Sequence, residues 1–265
     1  MWDPRQYALF GTHRGRPFAD LLARIDAPDP RLVVDLGCGD GPLTLSLTER
    51  WPGARVVGVD SSPAMLDAAR ALDVEGRVAW VEARAEDWDP ATLGRPVDVL
   101  VTNALLQWVP GHLDLLPRWV DALAPGGWLA LQVPANFDAP SHRLMREVAA
   151  RHPRAADLLP HLERAAAVAS PREYLAALAR LGLEPDVWTT TYEHVLDPAG
   201  AQASPVLEWV RATGLRPVLG VLTDDAERAA FLDDYTAALD HAYPREEWGV
   251  VLGFSRVFAV GHRVG

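Results

Sequence analysis

The sequence predicts an α/β fold: a doubly wound, mostly parallel sheet of seven strands with helical insertions. Three observations lead there. Short apolar, β-branched runs alternate with amphipathic stretches from about residue 31 to 133, which is the rhythm of βαβ units. The first of these runs closes on the glycine-rich turn Gly37-Cys38-Gly39-Asp40-Gly41. After Pro134 the rhythm breaks, and Arg- and His-bearing helical stretches come in before two further strands.

Taken in order, Arg31 to Leu36 is a continuous apolar run of the kind buried on both faces of a parallel sheet. Pro42 to Arg50 follows as a helix closed by Trp51-Pro52-Gly53. Arg55 to Asp60 is the second strand, and Ser62-Pro63 opens a helix to about Leu72 with residues suited to the cap and first turn. Val78 to Ala83 and Val97 to Thr102 are the third and fourth strands. His112 to Leu123 reads as a helix, Pro125-Gly126-Gly127 as a turn and Trp128 to Val133 as the fifth strand. Residues from about 136 to 168 read as helical, and Ser170 to Leu181 is a helix with a Ser-Pro start and a Gly182 stop. Glu184 to Tyr192 and Gly253 to Val260 complete the sheet, with Ser204 to Tyr243 as a second helical insertion. The expected organisation is one domain over 1–265. Its core would lie at about 28–135, 170–195 and 250–262, and a helical lid at about 1–17, 136–168 and 197–248. The lid would cover the carboxyl ends of the strands, where such sheets bind ligands.

Composition excludes several chemistries. Among 265 residues with net charge −11, all 25 basic residues are arginine. Without lysine there is no Schiff-base, pyridoxal-phosphate or P-loop lysine. An acidic, lysine-free chain is also poorly suited to tracking nucleic-acid backbones. Cys38 is the only cysteine, so no disulfide forms within the chain and a reducing compartment is expected. No apolar run approaches 18 residues, and Met1-Trp2-Asp3-Pro4-Arg5 lacks a signal-peptide pattern. The expectation is a soluble cytoplasmic protein with no metal, no membrane and no nucleic-acid partner.

Asp35-Leu36-Gly37-Cys38-Gly39-Asp40-Gly41 ends the first strand and opens the first helix, where glycines let the backbone turn tightly and approach a ligand. Asp60, 19 residues after Gly41, closes the second strand where a carboxylate can accept both hydroxyls of a ribose. A dinucleotide site wants G-x-G-x-x-G, but position 42 is proline and the third glycine, for close helix–strand packing, is missing. The pattern here, G-x-G-x-G with Asp35 two residues ahead, resembles motif I of the class I S-adenosylmethionine methyltransferases. That resemblance covers roughly Arg31 to Val133 and implies their Rossmann-like sheet. It implies that Gly37 and Gly39 line the cofactor, Asp35 holds its amino group, Asp60 holds the ribose, and Ser61 and Met65 flank the adenine. Ala85 and Glu86, after the third strand, and Asn103, ending the fourth, complete the cofactor side. Related proteins often carry Asp where Arg84 stands. Arginine cannot accept a hydrogen bond, so Glu86, Asp87 or a backbone carbonyl must take the adenine amino group.

The fourth strand ends Thr102-Asn103-Ala104-Leu105-Leu106-Gln107-Trp108, without the Asp/Asn-Pro-Pro-aromatic run of base-methylating enzymes. Cys38 lies in the wrong loop for cytosine C5 chemistry, and catechol-type enzymes need a lysine base. Other segments stand out together. They are Trp2-x-Pro4-x-x-Tyr7-x-x-Phe10, Arg14-x-Arg16-Pro17, Asp60-Ser61-Ser62-Pro63-Ala64-Met65-Leu66 and Leu106-Gln107-Trp108. With them come Leu144-Met145-Arg146-Glu147-Val148, Val187-Trp188-x-Thr190-Thr191-Tyr192 and Ala212-Thr213-Gly214-Leu215-Arg216-Pro217. This set resembles the trans-aconitate 2-methyltransferases over nearly the whole length.

That family implies methyl transfer to a carboxylate of a small tricarboxylate. A carboxylate is ionised at pH 7, so no general base is needed and no catalytic residue is assigned. Its remaining carboxylates need bidentate arginine. The candidates are Arg14, Arg16, Arg146, Arg216 and Arg256, with Tyr7, Gln107, Trp108 and Tyr192 shaping the pocket. Each has a second reading. Arg146 beside Glu147 can be a solvated residue, Arg216 can cap the helix that starts at Val206, and Arg256 can belong to a buried ion pair. Trp108 and Tyr192 can be core or wall residues. Three alternatives remain open: another small acid or an alcohol as acceptor, for which His112, His142 or His194 could serve as base; an NAD-dependent oxidoreductase; and a protein that binds the cofactor without turnover.

Overall fold

A computed structural model describes residues 15–162, 168–211 and 214–265. Tyr7 and Arg14 lie outside them. In chain order the elements begin α1 (Gly15–Leu22), β1 (Leu32–Leu36), α2 (Pro42–Arg50), β2 (Arg55–Asp60), α3 (Pro63–Leu72), β3 (Val78–Glu82) and β4 (Val97–Asn103). Then follow α4 (Leu116–Asp121), β5 (Leu123–Pro134), α5 (Pro140–Arg151), α6 (Ala155–Leu158), α7 (Pro171–Arg180) and β6 (Glu184–Leu196). The chain closes with α8 (Pro205–Arg211), α9 (Arg216–Val221), α10 (Asp225–Ala242), β7 (Arg245–Glu246) and β8 (Gly249–His262). No helix of the described residues is long and apolar enough to cross a membrane.

The sheet order is β3-β2-β1-β4-β5-β8-β6, with β7 pairing antiparallel to β8. The strands from β1 to β5 are parallel neighbours. Every residue of β1 is buried, which is why a two-faced apolar run marks it in the sequence. Seven strands were expected and eight are described; β7 is a two-residue partner to the start of β8. The predicted Pro125–Gly127 turn is an irregularity inside β5 instead. Pairing of Val97 with Leu123 gives way to Val99 with Trp128, and Gly126 takes a positive φ of 76°, so the extra residues loop out and the strand resumes. The helix read over His112–Leu123 begins as a 3-10 turn at His112–Leu115 and is α-helical only over Leu116–Asp121.

The chain forms two compact units. One holds the described residues up to Val133 with Ala169–Thr189 and Arg256–Gly265; the other holds Pro134–Val168 and Thr190–Ser255. The division passes through β6 and β8, whose 13 and 14 residues exceed the usual five or six. In the second unit, Met145, Val148 and Ala149 of α5 cluster with Val206 and Val210 of α8 and Phe231, Tyr235 and Leu239 of α10. Asp224 starts α10 by accepting from Ala226 and Glu227 N–H, the expected side-chain cap. Tyr235 Oη donates to Ser141 O (2.8 Å) and Tyr243 Oη accepts from Ser141 N–H (3.0 Å), which fixes the first turn of α5.

Candidate active site

β1 and β4 are neighbours, yet the chain winds from β1 toward β3 on one side and from β4 toward β5 on the other. The crevice at such a reversal is where open α/β sheets bind ligands. Gly37 and Leu105 meet there: a Cβ on Gly37 would lie 2.8 Å from Leu105 Cβ. Gly37 and Cys38 N–H both donate to Val59 O, at 2.7 and 3.0 Å. Gly39 N–H donates to Asp60 Oδ2 and Ser62 N–H to Asp60 Oδ1, both at 2.9 Å. Asp60 thus ties the glycine loop to the head of α3. Each of its oxygens keeps a second lone pair, enough for two ribose hydroxyls.

A Cβ on Gly39 (φ 56°) would meet no described atom within 4 Å, so the loop is open to a ligand there. Gly41 differs. Its Cβ would sit 2.8 Å from Ala69 Cβ and 2.9 Å from the Trp80 ring. The close-packing glycine counted as missing at position 42 therefore stands one residue earlier, and Pro42 begins α2 as its first helical residue.

Asp35 is buried and accepts from Thr44 Oγ1 at 2.6 Å. Burial pushes its carboxyl up to about 6, against the Thr44 bond and with help from the Asp60 charge. Its folded pKa lies above the unfolded value, so its stabilising contribution is present at low pH and lost as pH rises through about 6. Asp35→Asn, which still accepts from Thr44, is expected to raise the stability of the cofactor-free chain by ~2 kcal/mol more at pH 8 than at pH 4.5. Paired urea titrations at the two pH values check this. Burial, then the charges of Asp35 and Asp60, push the Cys38 thiol far up, so it stays protonated and is no nucleophile.

Ser61 and Met65 are exposed at the head of α3, Met65 at 47%. Ala85 is buried, and Arg118 Nη2 donates to the carbonyls of Ala85 (3.1 Å) and Glu86 (2.7 Å). Arg84 Nη2 donates to Glu86 Oε1 at 2.8 Å, so the carboxylate named as a substitute for the usual Asp is already held by Arg84, with Oε2 left to accept.

The ends of β4 and β5 gather a second polar group. Asn103 pairs with Gln132 in register. Asn103 Oδ1, Gln107 Oε1, Thr102 Oγ1 and Gln132 Nε2 are buried without a partner among the described residues. Gln107 Nε2 donates to Ala104 O at 2.6 Å, and Ala104 takes a positive φ of 56°. Arg256, buried at 8%, donates from Nη1 to Gln132 Oε1 at 3.0 Å. Trp108 is 56% exposed and so is not a core residue. Arg16 is exposed on α1.

In the second unit, Arg146 Nη1 donates to Phe137 O at 2.8 Å, with Asp138 at 3.9 Å, so it is more than a solvated residue. Arg216 is the exposed first residue of α9; α8 ends at Arg211, so Arg216 does not cap it. Tyr192 is buried and stacked on His194, which also stacks on Trp209 at 5.2 Å.

The comparisons agree with this geometry. The family model described as a methyltransferase domain matches residues 10–186. The trans-aconitate 2-methyltransferase of Streptomyces avermitilis is 52% identical over 99% of this chain and 97% of that one. The chain belongs to the trans-aconitate 2-methyltransferase family. Two solved structures share the class I fold. A putative methyltransferase of Bacillus halodurans has a TM-score of 0.59 at 14% identity, covering 95% of this chain and 100% of that one. The phosphoethanolamine N-methyltransferase 2 of Haemonchus contortus, in complex with S-adenosyl-L-methionine, has a TM-score of 0.55 at 14% identity, covering 98% and 56%. Membership of the trans-aconitate 2-methyltransferase family sets aside the dinucleotide oxidoreductase that Pro42 already disfavoured. Of the expected residues, the first unit brings Asp35, Gly37, Gly39 and Asp60 together at the loop, and Asn103 and Arg256 to either side of Gln132 near the ends of β4 and β5, with Gln107 just after β4. Sequence reasoning passed over Thr44, Arg118 and Gln132. Gln132 had a visible signal, a lone amide in the apolar run Trp128–Val133.

Proposed function

We propose that this chain transfers a methyl group from S-adenosylmethionine to a carboxylate of trans-aconitate. The observation that carries the reading is its 52% identity, over 99% of its length, with a relative of that name. The site fits the cofactor: the loop is open at Gly39, Asp60 has lone pairs to spare, and Asn103 Oδ1 is a buried acceptor awaiting a donor. When bound, S-adenosylmethionine supplies an electrophilic methyl on its sulfonium. The chain holds the cofactor through Asp60, Asp35 and Asn103, with Ser61, Met65, Ala85 and Glu86 on the adenine side. It places an already ionised carboxylate with the Arg256 guanidinium, so positioning replaces proton abstraction. Arg16, Arg146, Arg216, Gln107, Trp108 and Tyr192 remain candidates on the acceptor side. The same reading makes the protein cytoplasmic, with a small acid as its partner.

Calorimetric titration tests the cofactor half: S-adenosylhomocysteine is expected to bind and NAD to give no heat. The acceptor half is tested by the histidines. His112 uses Nδ1 toward Val109 O and Nε2 toward Tyr174 Oη (2.7 Å), and burial lowers its pKa. Burial, helped by the Arg146 charge, pushes His142 down to about 4. Replacing His112, His142 or His194 singly is expected to leave turnover of trans-aconitate within roughly tenfold. A loss of ~10³ for any one of them would show that a histidine acts as a base in the transfer and overturn positioning alone.

A further inference from the structure

We propose that Arg118 is a positioning residue for the cofactor's base: from behind the turn after β3 it sets the Glu86 carboxylate to accept from the adenine amino group. The inference rests on the placement of Ala85 and Glu86 on the adenine side and deepens it. The segment after β3 folds as one turn about a single carbonyl. Arg84 O accepts from Asp87 N–H at 3.1 Å and from Trp88 N–H at 2.8 Å. Ala85 and Trp88 are buried and anchor the turn. A lone turn leaves its last carbonyls without partners, because no further N–H comes round to them. Arg118, from α4, supplies the missing donor: Nη2 donates to Ala85 O (3.1 Å) and Glu86 O (2.7 Å).

These two bonds fix the Glu86 backbone from the α4 side. The side chain is tied at Oε1 by Arg84 Nη2 at 2.8 Å, which leaves Oε2 to accept. The Arg84 and Glu86 side chains are 66% and 33% exposed, and ion pairs so open to water hold loosely. Arg118 is half-buried, and its guanidinium makes charge-assisted bonds to both carbonyls. The position of Glu86 is therefore set chiefly from behind. Its own backbone N–H, and then Arg84, hold the Glu86 carboxyl below the usual carboxylate range against partial burial. The group is ionised and can only accept. Adenine presents an amino donor at C6, where hypoxanthine presents a carbonyl. A fixed, acceptor-only carboxylate tells the two bases apart.

Calorimetry compares S-adenosylhomocysteine with S-inosylhomocysteine, its hypoxanthine counterpart, and urea titration checks folding. Wild type is expected to prefer the adenine compound by at least ~30-fold, since a site built around a donor rejects the analogue lacking it. In Arg118→Met, affinity for S-adenosylhomocysteine is expected to fall about tenfold, with that for S-inosylhomocysteine within about threefold of wild type. Arg118→Gln, neutral and shorter, carries the same expectation where the apolar variant does not fold. Arg118→Lys keeps a cation for the carbonyls and is expected to restore most of the preference. Glu86→Ala removes the reader itself, so adding Arg118→Met to it is expected to cost less than about twofold. Equal loss of both compounds in Arg118→Met or Arg118→Gln makes Arg118 a structural support only and overturns the proposal. A preference that Glu86→Ala abolishes and Arg118→Met leaves intact removes Arg118 alone and keeps the adenine-side reading. Wild type that binds both compounds equally well removes Glu86 from the adenine side, and the role of Arg118 falls with it.

Discussion

Substituting Asp60 with alanine is expected to lower affinity for S-adenosylhomocysteine by roughly 100- to 1,000-fold while the chain stays folded. One carboxylate does two jobs. It accepts the Gly39 and Ser62 amides, which sets the shape of the glycine loop, and its remaining lone pairs are assigned to the ribose. Bonds to a charged group contribute about 1.5–3 kcal/mol each, and about 1.4 kcal/mol is a factor of ten, so losing two at about 1.5–2 kcal/mol each, the lower part of that range, gives the stated fall. Asp60→Asn keeps one acceptor oxygen and can hold only one of the two amides well, so an intermediate loss is expected. Calorimetry with S-adenosylhomocysteine measures both. Binding of the alanine variant within fivefold of wild type would remove Asp60 from the cofactor site.

Arg256→Met is expected to raise KM for trans-aconitate by roughly 10²- to 10³-fold, with S-adenosylhomocysteine affinity within threefold of wild type. Truncating one partner of a buried, hydrogen-bonded charge pair costs about 2–5 kcal/mol. Arg256 is buried in the middle of β8, where it bonds to Gln132 near the end of β5. Arg256→Lys should fall between, because an ammonium keeps the charge and loses the planar fork. Arg146, which is committed to Phe137 O, and exposed Arg216 should each cost less. Steady-state kinetics separates the cases, and an unchanged KM for Arg256→Met would move the anion site elsewhere.

The parallel strands were legible because they are short runs dominated by apolar, β-branched residues, with few polar positions such as Asp35 in β1 and Asp98 in β4. β1, β2, β3 and β4 fall within a residue of their predicted bounds. What failed depends on partners far away in sequence. The loop inside β5 exists because its register with β4 shifts between Val97 and Val99, and Pro125-Gly126-Gly127 alone reads as a turn. β6 extends to Leu196, past Tyr192, through alternating buried and exposed residues. β8 starts at Gly249, four residues early, through its hairpin with β7. The packing role of Gly41 is set by Ala69 and Trp80, which no local motif announces. At the site, Asp60 and the glycine loop followed from spacing. The capture of Glu86 by Arg84 had to be seen, although the two stand two residues apart. Gln132 was visible as the one polar side chain in an apolar strand.

The most direct measurement is mass spectrometry of the products after incubating the protein and S-adenosylmethionine with trans-aconitate, and in parallel with cis-aconitate, citrate and isocitrate. S-adenosylhomocysteine and trans-aconitate monomethyl ester are expected in equal amounts, formed fastest from trans-aconitate. S-adenosylhomocysteine binding without any ester from these acids would contradict it, leaving the cofactor site in place and the acceptor wrong.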